Sequence, residues 1–95
     1  MKIQKTNDYS MFETLLGNRT INMKKVEQIS NDVQNGFNML EYFPILVKDN
    51  SGKFGIIDGQ HRFEVSKLNN LPVYYLIAND ISLKQIALYD FSRQR

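Results

Sequence analysis

Five consecutive residues, Asp58, Gly59, Gln60, His61 and Arg62, set a carboxylate, an amide, an imidazole and a guanidinium side by side. They stand where an apolar run ending at Ile57 gives way to a stretch with helical character, so they occupy the start of a helix. A helix start leaves its first backbone N–H groups without intrahelical partners and carries the positive end of the peptide macrodipole, which draws phosphate or carboxylate. Arg62 adds a planar, permanently charged fork that matches the same anions. Gly59 permits close backbone approach and tolerates positive φ. The first expectation is an anion site. A second is acid–base chemistry on the same ligand, with Asp58, His61 and Glu64 as the available catalytic groups.

Each residue also has a plainer reading. Arg62 can pair with Asp58 or Glu64 on the surface. His61, Val65 and Leu68 follow the i, i+4, i+7 spacing of an inward stripe, which suits a satisfied core histidine as well as a base. Asp58 immediately before a helix reads first as its cap. Gln60 can donate to a phosphate oxygen but cannot take up a proton at neutral pH, which weighs against acid–base catalysis. Arg19, in a polar turn, either reaches the same anion or faces solvent. Tyr74, Tyr75, Phe43 and Phe63 read as core or interface residues, with Phe63 off the inward stripe of its helix.

The elements that position these groups follow from pattern. Lys2 to Thr6 suggests a short strand with Ile3 inward, and residues 8–20 a packed loop with one helical turn. Asn22 is an N-cap, after which Met23, Val26, Ile29 and Val33 keep helical spacing up to the stop at Asn35-Gly36. Phe43 to Lys48 and Lys53 to Asp58 form strands joined by the turn Asp49-Asn50-Ser51-Gly52. A helix from about Gln60 ends at Asn69-Asn70 before Pro72, and Val73 to Ile77 is a further strand. Ser82 with Gln85 forms a capping box, and Ile81 with Ile86 a hydrophobic staple, for a last helix beginning near Leu83. The order describes a small α+β domain, a short mixed sheet packed with about three helices.

Ninety-five residues, 42% of them hydrophobic, suffice for one domain spanning residues 1–95. The last helix meets neither Gly nor Pro before Arg95, as if the chain were the N-terminal part of a longer protein. A net charge of +2 permits a polyanionic partner without demanding one. The absence of cysteine removes disulfides, thiolate metal sites and thiol catalysis. No secretory leader and no run of roughly 18 apolar residues is present, so a cytoplasmic location away from membranes is expected.

The run Gly55-Ile-Ile-Asp-Gly-Gln-His-Arg62, continuing to Ile77, resembles the ParB/sulfiredoxin-like domain family, whose hallmark is a strand ending in a Gly-x-[His/Arg]-Arg turn that opens a helix. Asn18-Arg19 is similar to the family's Asn-x-Arg box, and the helix ending at Gly36 and the strand from Pro44 to Val47 fit its order. The Asp-Gly-Gln-His-Arg variant is typical of ParB-like proteins of phages and mobile elements, described as nuclease-like. The resemblance implies phosphate binding by Gly59, Gln60, His61, Arg62 and Arg19. It implies CTP or ATP with Mg²⁺ as cofactors, nucleotide or DNA as partners, and allows a homodimer. Gln60 stands where ParB proteins carry an acidic residue and sulfiredoxins their reactive cysteine, so sulfiredoxin chemistry is excluded. The family's Glu-Asn-x-x-Arg metal box is only partly present near Tyr89 to Arg95, leaving Asp90 as its metal ligand. Three functions remain open: a phosphate-binding ParB-like domain in DNA processing or partition, a metal-dependent nuclease or nucleotide phosphohydrolase or phosphotransferase, and an interaction module that keeps the turn for its shape.

Overall fold

The computed structural model describes residues 2–15 and 21–79. Its centre is a hairpin made by strands β3 (Ile45–Asn50) and β4 (Lys53–Asp58). The connection is the two residues Ser51 and Gly52, both at positive φ (53° and 93°). That pair of conformations has the twist of the flanking strands, which is why Asp49 and Asn50, expected in the turn, extend β3 instead. Around the hairpin lie β1 (Gln4–Thr6), β2 (Phe12–Thr14) and β5 (Val73–Ile77), giving one mixed sheet in the order β1-β5-β3-β4-β2. β5 pairs parallel with β3 through Ile45↔Tyr75 and Val47↔Ile77. β2 pairs parallel with β4, and β1 closes the far edge antiparallel to β5.

Two α-helices, α1 (Met23–Gln34) and α2 (Gln60–Leu68), accompany the sheet. The expected third, near Leu83, lies outside the described residues. Asn22 caps α1 as its sequence position predicts, its side chain accepting from the backbone N–H groups of Lys24 and Lys25. At the other end Gly36 takes φ +94°, and the Phe37 N–H reaches back to the Asp32 carbonyl at 2.8 Å, the Schellman closure.

The apolar interior has two parts, and α2 belongs to both. Phe63 joins Phe12, Ile45, Val47, Ile56, Val73 and Tyr75 against the sheet. Val65 joins Val26 and Leu40 on the side of α1, with Ile29, Val33 and Tyr74 packed around them. α2 is thus interposed between the sheet and α1, and a helix wedged between two layers cannot be read as a single stripe. Phe63, expected off the inward face, is buried, while Leu68, expected on it, is 62% exposed. Ile3 and Met23, both expected inward, are about half exposed. The expected helical turn in residues 8–20 is a 3₁₀ turn at Tyr9–Met11 capped by Asp8, and the three residues after it are not loop but β2.

Candidate functional site

The strand that leads to the site is bent just before it. Between β3 and β4 the register passes from Val47↔Ile56 to Leu46↔Asp58, leaving Ile57 without a counterpart. Such a bulge re-aims the residues that follow it, here Asp58 and Gly59. Gly59 then takes φ 97°, ψ 24° as the N-cap of α2 and supplies no side-chain cap. A Cβ at this position would lie 2.7 Å from both Ile45 Cγ2 and Arg62 Nη2, so glycine is required by conformation and by space alike. The first intrahelical bond of α2 runs from the Phe63 N–H to the Gly59 carbonyl at 3.0 Å. The amides of residues 60–62 precede that bond and point out of the helix start.

Arg62 folds back over this start. Its Nη2 donates to the Pro44 carbonyl at 3.3 Å and stands 3.8 Å from Asp58 Oδ2. Its Nε is buried and has no hydrogen-bond partner among the described residues. The guanidinium is therefore held in place by a neutral carbonyl and one loose carboxylate contact, with donor capacity in reserve.

The remaining sequence candidates fall into different situations. Asp58, expected as the cap of α2, is not the cap: Gly59 is, because the bulge and the left-handed turn carry the Asp58 carboxylate away from the helix amides toward Arg62. His61 is partly buried, and its Nε2 accepts the backbone N–H of Asn22 at 3.0 Å. Gln60 is buried, at 8% exposure. Glu64 pairs with Lys67 at 3.7 Å. Arg19 and Asp90 lie outside the described residues. Among the described residues no three His, Cys, Asp or Glu side chains gather to hold a metal ion, and no helix is long and apolar enough to cross a membrane.

Two contributors carry no chemical signature in the sequence: the Pro44 carbonyl and the Asn22 amide, both backbone groups. The strand assignment of residues 43–48 and the cap assignment of Asn22 place them, but nothing in either pattern indicates that they meet α2. They do so because α1 and α2 run side by side in the same sense. At one end Asn22 meets His61, and at the other Gln34 Nε2 donates to Asn69 Oδ1 at 3.0 Å while Asn69 Nδ2 donates to Ser30 Oγ at 3.1 Å. Both helix N-termini consequently lie at the same end of the pair.

No family model and no curated protein matches the sequence. Solved structures do match. The C-terminally truncated chromosome-partitioning protein ParB from Caulobacter crescentus, complexed with CTP-gamma-S, aligns with 100% of this chain and 54% of its own at a TM-score of 0.74 and 19% identity. The same protein complexed to the centromeric parS site aligns with 94% of this chain and 45% of its own, with TM-score 0.66 and 19% identity. Sulfiredoxin from Arabidopsis thaliana aligns with 94% of this chain and 97% of its own, with TM-score 0.62 and 18% identity. This chain spans about half of each ParB chain and nearly all of the sulfiredoxin. Its mixed sheet and helices thus form the ParB/sulfiredoxin-like fold.

Proposed function

We propose that the chain is a ParB-like domain that captures the phosphate of a nucleotide or nucleic acid at the strand-to-helix turn from Asp58 to Arg62, in DNA processing or partition of a phage or mobile element. One observation carries the reading. α2 begins on a glycine whose positive φ and close neighbours disfavour any side chain, without a side-chain cap, and under a guanidinium whose Nε has no partner among the described residues. A start of this kind presents backbone donors, the positive helix end and a rigid cation to one small volume, which is what a phosphate needs. The ParB neighbours, one with CTP-gamma-S and one with parS, support nucleotide and DNA as the ligand classes to try first.

Binding is preferred to turnover because the three groups suited to proton transfer are already engaged. Asp58 faces Arg62, Glu64 faces Lys67, and His61 Nε2 holds the Asn22 amide. Isothermal titration at low salt with tripolyphosphate, CTP, ATP and short duplex DNA tests the proposal. At least one should bind, and Arg62→Ala should weaken it by about 10- to 100-fold, the worth of a charge-assisted contact. Absence of binding by all four, or an Arg62→Ala variant that binds as the wild type does, overturns it.

A further inference from the structure

His61 is the side chain at the turn most readily taken for a phosphate ligand or a base, yet its geometry serves another purpose. Its Nε2 accepts the backbone N–H of Asn22, 39 positions earlier in the chain, at 3.0 Å. A nitrogen that accepts carries no proton, so the neutral ring must be protonated at Nδ1. The same atom cannot donate to a phosphate or take up a proton while that bond stands. Asn22 in turn caps α1, its Oδ1 accepting from Lys24 N at 3.0 Å and Lys25 N at 3.4 Å.

The contact resolves an electrostatic conflict. α1 and α2 start at the same end of the pair, and neither has an acidic residue in its first turn to offset its positive end. α1 even carries the exposed Lys24 and Lys25 there. Two like helix ends repel, and the Nε2 lone pair of the first turn of α2, laid on the N–H that precedes α1, offsets that repulsion without placing a carboxylate in the turn.

We infer that His61 is a positioning residue: as the Nδ1–H tautomer it latches the capped start of α1 to the start of α2, and this latched form is the one that binds the anion. The inference rests on the phosphate-capture reading for its second half only. The latch itself exists with or without a ligand.

Nuclear magnetic resonance on the whole chain tests both halves. The imidazole ¹⁵N shifts should place the proton on Nδ1. Exchange of the Asn22 amide should be about tenfold faster in His61→Ala and return toward the wild-type rate in His61→Gln, whose side-chain oxygen can accept in place of Nε2. Affinity for tripolyphosphate should fall by about three- to tenfold in His61→Ala and recover in His61→Gln, with Asn22 still protected when tripolyphosphate saturates the wild type. Arg62→Ala should lose affinity with Asn22 protection intact. A proton on Nε2, or an unchanged Asn22 rate in His61→Ala, overturns the latch. Loss of affinity that His61→Gln does not restore, or deprotection of Asn22 by tripolyphosphate, makes His61 a direct ligand and overturns the positioning role. If none of tripolyphosphate, CTP, ATP and duplex DNA binds the wild type, the phosphate reading falls while the tautomer and Asn22 measurements still decide the latch.

Discussion

The two α-helices among the described residues begin within reach of each other and are built in opposite ways. α1 starts on Asn22, whose side chain satisfies two amides of the first turn. α2 starts on Gly59, which satisfies none with a side chain and is wedged against Ile45 and Arg62. The first arrangement uses a polar side chain to complete the helix internally and contributes about 1 kcal/mol. The second leaves completion to the surroundings and adopts a backbone conformation that a side chain would strain. Burial follows the same division: α1 buries only Val26, whereas α2 buries Gln60, Phe63, Val65 and Ser66. The more deeply buried helix holds the start that no side chain caps, and the less buried helix holds the capped one. The proposed anion site would gain from this placement, because backbone donors aimed at a ligand need a scaffold that holds them in position.

Gly59→Ala is the most severe way to break the contrast. The new Cβ meets Ile45, nearly fully buried in the core, in a φ that alanine resists. We expect a loss of about 2–4 kcal/mol, read as a lower urea midpoint with an unchanged slope. A loss under about 0.5 kcal/mol would mean that the turn relaxes freely and that the glycine is not structurally required.

Asn22→Ala probes the other start. It removes the two capping contacts and should cost about 1 kcal/mol, while Asn22→Gly should recover all but a few tenths. Because the Asn22 N–H is retained in both variants, the bond to His61 should survive, and tripolyphosphate affinity should change by less than about twofold. A large fall in affinity would show that the cap, and not only the amide, belongs to the anion site.

Much of this contrast could be read from residue order. The cap at Asn22, the stop at Gly36 and the position of α2 after Gly59 all rest on local rules, since each depends on neighbours within a turn of helix. The strands of the hairpin and β5 were likewise visible as short apolar runs between turn residues. What the sequence did not show was non-local. β2 is three residues long and exists only because it lies parallel to β4, some forty residues away, so no periodicity marks it. Helical spacing assigns Phe63 and Leu68 to the wrong sides because α2 packs against two layers and one stripe cannot describe it. Asp58 reads as a cap in the sequence because the bulge at Ile57 has no sequence signature. At the site, the cluster of residue types was legible, but the partners that decide their roles, the Pro44 carbonyl for Arg62 and the Asn22 amide for His61, are backbone groups supplied by the topology.

The smallest effect expected is also the one that best separates capture from catalysis. Glu64 sits one turn into α2, 27% exposed, and its contact with Lys67 at 3.7 Å is an i, i+3 surface pair. Lys67 has a second partner, the Phe63 ring, with its Nζ 5.3 Å from the centroid, so removing the carboxylate does not leave the ammonium isolated. Glu64→Gln should therefore change stability by less than about 0.5 kcal/mol. It also removes a negative charge near the end of the helix proposed to bind the anion, so affinity for tripolyphosphate should rise slightly at low salt, and the gain should vanish near 1 M salt, where the Debye length shrinks to about 3 Å. If the carboxylate worked as a base, the same substitution would leave affinity unaltered or improved and abolish turnover of a nucleotide in the presence of Mg²⁺. A wild-type chain that turns nucleotide over, and a Glu64→Gln chain that does not, would replace the contrast between a side-chain-capped and an uncapped helix start with one between a structural and a catalytic one.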